Sequence, residues 1–397
     1  MRPVDIKLRM PQAPRDPNHY AHRYNAVEGG RRIRLLDSTL REGEQHAGIS
    51  FTNKQRIRLA EMLDSFGVDQ VEISPIISHD HYEATKALVK KGLRADIVAH
   101  VRAVPSDIDQ AIDCGATWVA VYMSVSDIHL AEKLKLTREE AKARALEVTD
   151  YIKAHGLKAR FTMEDASRSK PAFLIEMCKE MNERGIERIG IPDTVGIMRP
   201  RGMYNLVKKV HDSIDPVKSS IDVHCHNDLG LALANALAGC EAGADQIHTT
   251  IDGYGERVGI PSLAETAVAL KLLYKAKGDL RLRRLKALSQ TVSEYTGVPI
   301  PPSKPIVGDN VYKHKAGTHL AAILRNPATY EILEPQAVGN RRRIVLGQLA
   351  GRSGVAYLLS ALGLKNSTPE VEALLRALKK LRKGDVVELH LNDHGKS

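Results

Sequence analysis

Two histidines, His224 and His226, close an alternating run of polar and apolar residues at positions 220–226. Residues i and i+2 of a β-strand point to the same face, so both imidazoles can approach one point and chelate a metal. Two hydrogen-bonded histidines on a strand would show the same spacing, so the pair alone leaves both interpretations open. Cys225, between them, should point to the opposite face of the strand and pack in the core.

A second set of chemically active side chains lies far upstream, in the run DSTLREGEQ at residues 37–45. Glu42 would complete a set of two histidines and one carboxylate, which suits a divalent metal with free coordination positions. Histidine favours zinc, manganese, iron or cobalt, whereas carboxylates favour magnesium or manganese, so the identity of the ion stays open. Arg41 could stabilise a ketone or enolate oxygen beside the metal, or simply form an ion pair with Glu42.

The two sets meet only if the fold brings them together. Short β-branched or apolar runs alternate with helical patterns, several of which end at a glycine. This alternation predicts parallel βα units, and eight of them close into a (β/α)8 TIM barrel. A doubly wound open sheet is the alternative, but no glycine-rich dinucleotide loop follows the first strand. The predicted strands lie near residues 33–37, 70–74, 96–101, 118–123, 159–163, 188–191, 220–224 and 246–250, and clear helical patterns cover residues 53–66, 137–155, 172–184, 199–213 and 229–242.

Functional side chains of a TIM barrel lie at the C-terminal ends of its strands. Polar residues follow the apolar runs of this sequence at those points, which favours an enzyme over a binding module for nucleic acid. These residues are Asp37, Arg41, Glu42, Glu72, Ser74, His100, Arg102, Arg160, Thr162, Glu164, Asp193, Thr194, His224, His226, Thr249 and Thr250.

The barrel is expected to occupy residues 33–276, after an N-terminal arm at residues 1–32. Residues 277–340 should hold a helix near 279–295, a proline-rich linker, and a subdomain lying over an active site, the partner's in a dimer. Residues 341–397 should form a small C-terminal helical subdomain, with a helix near 368–382 and a short strand or tail near 386–392. The expected fold is thus a barrel with a linker and small α-rich subdomains.

Composition indicates a globular, cytoplasmic protein. Of the 397 residues 43% are hydrophobic, no apolar run is long enough for a membrane span, and the N-terminus lacks the apolar segment of a secretory signal. The four cysteines show no disulfide-framework spacing, which fits a reducing compartment. The net charge of +10 could attract a polyanion such as a CoA thioester. Because the basic residues are dispersed without interleaved aromatics, we expect no nucleic-acid partner and no membrane.

Three motifs carry a family resemblance. DSTLREGEQ at residues 37–45, HCHNDLGLA at residues 224–232 and GYGERVGI at residues 253–260 resemble, in this order, the α-isopropylmalate synthase and homocitrate synthase family, part of a barrel metallolyase superfamily. The resemblance covers about residues 33–360. It implies condensation of acetyl-CoA with a 2-oxo acid followed by thioester hydrolysis, with a divalent metal (Mg, Mn, Zn or Co) and a homodimer that shares its active sites.

The resemblance also assigns roles to residues. The family's metal ligands carry over to Glu42, His224 and His226, and its catalytic arginine carries over to Arg41. The residues expected to shape the CoA side are Gly253, Gly255 and Arg257.

Four further residues receive roles in the same way. His319 and Tyr330 are expected to reach an active site from the linker segment, across a dimer interface in the family pattern. Glu164 is expected to take part in proton transfer, and Thr194 is expected to bind the 1-carboxylate of the substrate.

The acceptor is expected to be a dicarboxylic 2-oxo acid. Such a substrate needs a second cation for its distal carboxylate, whereas a branched aliphatic acceptor needs an apolar pocket. His100 and Arg160 stand where homocitrate synthases hold 2-oxoglutarate, with Thr162 where serine is common. The segment HKAGTH at residues 314–319 and Ile260 also resemble homocitrate synthase, an enzyme of lysine biosynthesis.

Two departures favour other acceptors. The segment IPDT at residues 191–194 and the pair Leu229-Gly230 are more similar to isopropylmalate synthase. Isopropylmalate or citramalate synthase, or a relative that uses another acidic 2-oxo acid, therefore remains the alternative. A lyase of the same superfamily is less favoured because it would not need residues 299–330. Metal identity, oligomeric state beyond a dimer and feedback inhibition are not determined by the sequence.

Overall fold

The structure is a computed structural model that describes residues 17–25, 30–315, 317–348, 350–361, 363–382 and 386–390. It divides into two compact units, one within residues 27–281 and 288–299 and the other within residues 1–26, 282–287 and 300–397. The first unit contains a closed barrel of eight parallel strands in the order β1 to β8. The predicted (β/α)8 TIM barrel is confirmed, and the open sheet is excluded because β1 pairs with both β2 and β8.

The barrel strands match the predicted runs to within two residues at either end. Each is short and largely buried, as expected for parallel strands covered by helices. They are β1 Arg34–Asp37, β2 Gln70–Ile73, β3 Asp96–Arg102, β4 Trp118–Ser124, β5 Lys158–Glu164, β6 Arg188–Asp193, β7 Ser220–Cys225 and β8 Gln246–Thr249.

Local signals in the sequence account for the ends of the helices. Thr52 caps the helix that follows β1, because its hydroxyl accepts a hydrogen bond from the backbone N–H of Gln55. The side-chain oxygen of Gln55 accepts one from the backbone N–H of Thr52, which completes a capping box. The same helix ends at Gly67, whose φ of 116° would be costly for a residue with a side chain. The helices of the first unit are α2 Asn53–Phe66, α3 His79–Lys90, α4 Pro105–Asp113, α5 Asp127–His129, α6 Arg138–Ala154, α7 Pro171–Glu183, α8 Pro200–His211, α9 Ala232–Glu241 and α10 Leu263–Leu272. Helix α11 Leu285–Thr296 has residues in both units, and α1 His19–Tyr24 belongs to the second.

Charged side chains fill part of the barrel interior. Arg160 on β5 contacts Glu72 on β2, His248 on β8 and Asp222 on β7, so its guanidinium lies among strands from several sides of the barrel. Asp222 also accepts a hydrogen bond from Arg188 on β6. Charges removed from water are costly unless they are paired, and each of these has a partner of opposite sign.

The second unit has its own hydrophobic core and its own sheet. Strands β9 Lys313–His314, β10 Arg343–Leu346 and β11 Val387–His390 pair in the order β11-β10-β9. Helices α12 Gly317–Arg325, α13 Arg352–Ala361 and α14 Thr368–Lys379 accompany them. Leu320, Ile344, Val355 and Leu375 belong to one buried cluster. Residues on both sides of the boundary predicted after residue 340 therefore share a core.

The C-terminal part differs from the expected helical subdomain at β10, which lies within residues 341–397, whereas β11 falls in the short strand or tail predicted near residues 386–392. Strand β10 is only four residues long, and an apolar run of four does not distinguish strand from helix. Of the predicted N-terminal arm, residues 1–16 and 26–29 lie outside the described residues, as do residues 391–392 of the predicted tail. No helix in the described part of the chain is long and apolar enough to cross a membrane.

The ion pairs inside the barrel give a stability prediction. Arg188→Met leaves Asp222 charged and buried without its main partner, so the free energy of unfolding should fall by about 3–5 kcal/mol in urea denaturation. Arg184→Met removes a guanidinium that pairs with Asp150 and Glu180 at the surface, and should cost less than about 1 kcal/mol. Similar losses in the two variants would contradict a special role for the buried pair.

Candidate active site

Barrel closure brings one carboxylate and two imidazoles together at the C-terminal ends of the strands. The ligand atoms of Glu42, His224 and His226 lie within 4.8 Å of one another, and all three residues are buried. Nε2 of His224 lies 3.3 Å from Nε2 of His226 and 4.0 Å from Oε2 of Glu42. Two imidazole nitrogens that bind one ion at about 2.1 Å lie roughly 3.0–3.4 Å apart, so the donor set fits a divalent metal.

Both histidines are held in the neutral form that a metal requires. Burial lowers the pKa of His224 well below its usual value, and the neighbouring His226 and His248 add to this effect. Burial is also the largest cause that lowers the pKa of His226, although the Glu42 carboxylate opposes it. An ion therefore does not have to displace a proton from either ring at neutral pH.

His248 on β8 fixes the orientation of His224. Nδ1 of His224 lies 3.2 Å from Nδ1 of His248, and Nε2 of His248 lies 3.2 Å from a carboxylate oxygen of Asp222. If Nε2 of His224 faces an ion, its proton is on Nδ1 and is donated to His248. The proton of His248 is then on Nε2 and faces Asp222. Nη1 of Arg160, which can only donate, lies 3.1 Å from the same nitrogen, so the contacts permit the required tautomer without selecting it.

The loop after β8 supports the carboxylate of Glu42. The backbone N–H of Glu256 donates to Oε1 of Glu42 over 2.8 Å. Gly255 lies so close that a Cβ there would stand 2.8 Å from the same oxygen. The structure therefore shows a contact of Gly255 with the metal side of the site, whereas the expected roles of Gly253, Gly255 and Arg257 on the CoA side stay predictions.

A buried carboxylate, Glu72, holds two arginines. Nε of Arg41 donates to Oε2 of Glu72 over 2.7 Å, and Arg160 donates to Oε1. Burial alone would raise the pKa of Glu72, but the two guanidiniums outweigh it and hold the pKa well below its usual value. Arg41 also donates to Oε2 of Glu42. Arg41 thus has a fixed position beside the three candidate metal ligands, as its predicted catalytic role requires.

The cluster lies in a cavity of about 280 Å³. Among the described residues that line it, Pro192 alone lacks a side chain that can form hydrogen bonds. Those residues are Arg41, Glu42, Gln45, His100, Tyr122, Lys133, Arg160, Thr162, Glu164, Pro192, Thr194, His224, His226, His248, Glu256 and Arg257.

The residues predicted to bind the distal carboxylate lie on one wall of this cavity. The His100 ring stacks on Tyr122, with ring centroids 4.7 Å apart. Arg160 is deeper, with 2% of its side chain exposed, and its Nε donates to Oγ1 of Thr162 over 3.2 Å. Burial lowers the pKa of His100 well below its usual value, and Arg41 adds to this effect. His100 therefore offers a neutral ring, and Arg160 offers the charge.

Thr194 and Arg257 also line the cavity. Oγ1 of Thr194 accepts a hydrogen bond from the backbone N–H of Asp165 over 2.9 Å. Arg257 donates to the carbonyl oxygen of Thr194 and forms an ion pair with Asp228. The two residues thereby join the loops after β6, β7 and β8, and substrate binding by Thr194 stays a prediction.

His319 and Tyr330 belong to the second unit. Their rings stack with centroids 4.2 Å apart, and 52% of Tyr330 is exposed. Their predicted role at a shared active site stays a prediction.

Sequence reasoning assigned no role to six residues that line the cavity, namely Gln45, Tyr122, Lys133, Pro192, His248 and Glu256. His248 belongs to the predicted eighth strand, and its spacing of two from Thr250 placed it on the same face, so alternation could have found it. Lys133 lies in the loop region after β4, where no strand pattern applies, and only the fold brings it to the cavity.

A larger cavity, of about 370 Å³, lies at the opposite end of the barrel. Its lining includes Arg34 and Asp96, the first residues of β1 and β3, and none of the three candidate metal ligands. Enzymes with this fold carry their chemistry at the C-terminal ends of the strands, so we place the active site in the smaller cavity.

Two protein-family models match consecutive parts of the chain. A model of the HMGL-like family matches residues 32–292, which include the whole barrel. A model described as homocitrate synthase post-HMGL domain-like matches residues 306–385.

Curated relatives with three different names resemble the chain over nearly the same length. The probable 2-isopropylmalate synthase of Ignicoccus hospitalis is 44% identical over 351 residues, covering 88% of this chain and 87% of that protein. The homocitrate synthase AksA of Methanopyrus kandleri is 41% identical over 348 residues, covering 87% of each. The (R)-citramalate synthase CimA of Methanocaldococcus jannaschii is 39% identical, covering 87% of this chain and 70% of that protein. These similar identities do not select one acceptor.

Solved structures show the same fold. The HMG-CoA lyase of Bacillus subtilis superposes with a TM-score of 0.63 at 18% identity, covering 69% of this chain and 97% of the lyase. At this identity the likeness concerns the fold alone.

The contact between His224 and His248 predicts an effect on metal affinity. His248→Phe keeps a ring of similar size but removes the acceptor for Nδ1 of His224, so affinity for Zn²⁺ or Co²⁺ should fall about 10- to 100-fold. Competition with a chelating dye at constant pH measures this change. Cys225→Ala, on the opposite face of β7, is the matched control and should bind metal as the wild type does. Unchanged affinity in His248→Phe would show that His248 does not orient the ligand.

Proposed function

The chain belongs to the HMGL-like family, and from this premise we propose that it condenses acetyl-CoA with 2-oxoglutarate and hydrolyses the thioester, giving homocitrate and CoA. The family resemblance read from the three motifs is thereby confirmed. Its synthases join acetyl-CoA to a 2-oxo acid, and the names of the relatives leave the acceptor open. The choice of 2-oxoglutarate rests on the chemistry of the cavity.

The polar lining of the cavity supports an acidic acceptor. A branched aliphatic side chain would have to lie against hydrocarbon, and Pro192 alone among the described lining residues offers a wholly apolar side chain. Four cations line the same space, namely Arg41, Lys133, Arg160 and Arg257. A second carboxylate on the substrate would therefore meet positive charge and hydrogen-bond donors.

The site residues can carry the condensation step. Glu42, His224 and His226 would hold a divalent cation, which supplies a Lewis acid for the 2-oxo acid when bound. Arg41, fixed by Glu72, can donate to the oxygen of the acceptor that gains negative charge as the new carbon–carbon bond forms. Arg160 and His100 would hold the distal carboxylate, and Thr194 would bind the 1-carboxylate.

Proton transfer is assigned to Glu164, which lines the cavity at the end of β5. When the methyl group of acetyl-CoA loses a proton, the electron pair of the C–H bond remains on carbon and attacks C2 of the acceptor. Water then cleaves the thioester of the condensed product, so the sulfur leaves as the thiol of CoA and the acyl carbon becomes a carboxylate.

A second candidate is isopropylmalate or citramalate synthesis. Isopropylmalate is the product named most often among the relatives, and the IPDT segment, which includes Pro192 and Thr194, also resembles isopropylmalate synthase. We rank it second because the cavity lacks an apolar wall among its described residues.

We further propose a cytoplasmic homodimer that serves lysine biosynthesis. His319 and Tyr330 would act at a shared active site, as the family pattern implies. This role is supported by the accessibility of the stacked pair, since 52% of Tyr330 is exposed.

The acceptor can be identified directly. Release of CoA thiol from acetyl-CoA should be faster with the dicarboxylic acceptors 2-oxoglutarate and oxaloacetate than with 2-oxoisovalerate or pyruvate, because only a second carboxylate matches the cations of the cavity. Of the two, 2-oxoglutarate should be the faster, as the resemblance of His100 and Arg160 to homocitrate synthase implies, and a preference for oxaloacetate would also overturn the assignment. A clear preference for 2-oxoisovalerate or pyruvate would overturn the assignment and support the second candidate.

Arg160 provides a sharper test of the same assignment. Arg160→Ala removes the charge expected to hold the distal carboxylate, so kcat/KM for 2-oxoglutarate should fall by roughly 100-fold or more while metal binding is kept. Arg102→Ala removes an arginine at the end of β3 that pairs with Asp107 outside the cavity, and should change little. Normal turnover of 2-oxoglutarate by Arg160→Ala would exclude Arg160 from acceptor binding.

A further inference from the structure

Lys133 forms an ion pair inside the cavity that the proposed reaction does not yet use. Its Nζ lies 2.7 and 2.8 Å from the two carboxylate oxygens of Glu164. The same ammonium lies 5.9 Å from the ring centroid of Tyr122, the residue that stacks on His100. Lys133 thus stands at the rim of the wall that carries the predicted binding residues of the distal carboxylate.

The chain holds Lys133 at this point by an uncommon local structure. Residues Leu130–Leu134 form a π-helical turn, and Lys135, which closes it, has a φ of 56° in the left-handed region. Asp165, which directly follows Glu164 at the end of β5, has a φ of 64°. Such conformations are unfavourable for residues with side chains and are frequent at functional sites.

Lys133 forms this ion pair with Glu164, the carboxylate that is expected to take part in proton transfer. Lys133 contacts both oxygens of Glu164, and the hydroxyl of Ser124 donates to Oε2. A carboxylate whose two oxygens accept these bonds is poorly placed to accept a proton from a substrate. Departure of Lys133 would leave Oε1 of Glu164 without this competing contact and better placed to accept a proton.

The pair is suited to exchange. The side chain of Lys133 is 46% exposed and that of Glu164 is 20% exposed, so water screens their attraction. Arg41 and Arg160 are fixed more firmly, since both bind the buried Glu72. A lysine also turns more freely than an arginine that forms paired hydrogen bonds.

We propose that Lys133 leaves Glu164 to pair with the distal carboxylate of the acceptor, and that this exchange frees Glu164 to accept the proton of the acetyl-CoA methyl group. In that transfer the C–H bond breaks, an O–H bond forms on Glu164, and the electron pair stays on carbon. The inference rests on the proposed function, because an acceptor without a distal carboxylate offers nothing for Lys133 to bind. Binding of an acidic acceptor and activation of the base are then one event.

The test compares acceptors in variants of the full-length enzyme. Lys133→Met removes the ammonium, so KM for 2-oxoglutarate should rise about tenfold or more, while KM for pyruvate stays within about twofold. Lys133→Arg keeps the charge and should restore most of the affinity for 2-oxoglutarate. Lys135→Met is the matched control, because Lys135 lies in the same segment, is 70% exposed and pairs with Glu132 outside the cavity.

The outcomes separate this inference from the proposed function. A wild-type enzyme that turns over 2-oxoisovalerate or pyruvate but not 2-oxoglutarate overturns the proposed function, and the exchange falls with it. If the wild type uses 2-oxoglutarate and Lys133→Met keeps the wild-type KM for it, only the exchange is overturned. Equal loss with all acceptors, accompanied by a lower unfolding temperature, would show a structural role instead and would also overturn it.

Discussion

Closure of the barrel is the constraint on which the site depends. β1 pairs with β8 in a register that sets Leu36 beside His248 and Asp37 beside Thr249. Because β7 also pairs with β8, Glu42 from the loop after β1 comes within 4.0 Å of His224, although 182 positions separate them in the sequence. An open sheet of the same strands would leave β1 and β8 on separate edges and would divide the donor set.

A chain of alternating charges then fixes the side chains inside the closed barrel. Glu72 lies between Arg41 and Arg160, and Asp222 lies between Arg188 and His248. Glu72 thereby orients two groups that line the cavity and Asp222 orients one, because a charge in a site of low polarity is held strongly by its partner. Arg41, Arg160 and Arg188 are therefore held in place. The more exposed ion pair of Lys133 with Glu164, at the cavity rim, is free to rearrange. This difference separates residues that hold a geometry from residues that can respond to a substrate.

Periodicity was sufficient to predict the barrel, because parallel strands covered by helices produce short apolar runs at regular intervals. The strand-end rule then predicted that Glu42, His224 and His226 would lie at one mouth, and the structure places them there. Lys133 was not predicted, because a π-helical turn has no recognisable sequence pattern and its contact with Glu164 depends on tertiary structure. Strands β9 and β10 of the second unit were missed for a related reason, since strands of two and four residues give no measurable periodicity.

The central claim is that Glu42, His224 and His226 bind one divalent cation beside the acceptor. Anomalous diffraction from crystals grown with Mn²⁺ and a 2-oxo acid tests it most directly. The account predicts a single strong peak about 2.0–2.3 Å from a carboxylate oxygen of Glu42 and from Nε2 of both histidines. A peak at other residues, or none at these three in a protein that consumes acetyl-CoA, would contradict it.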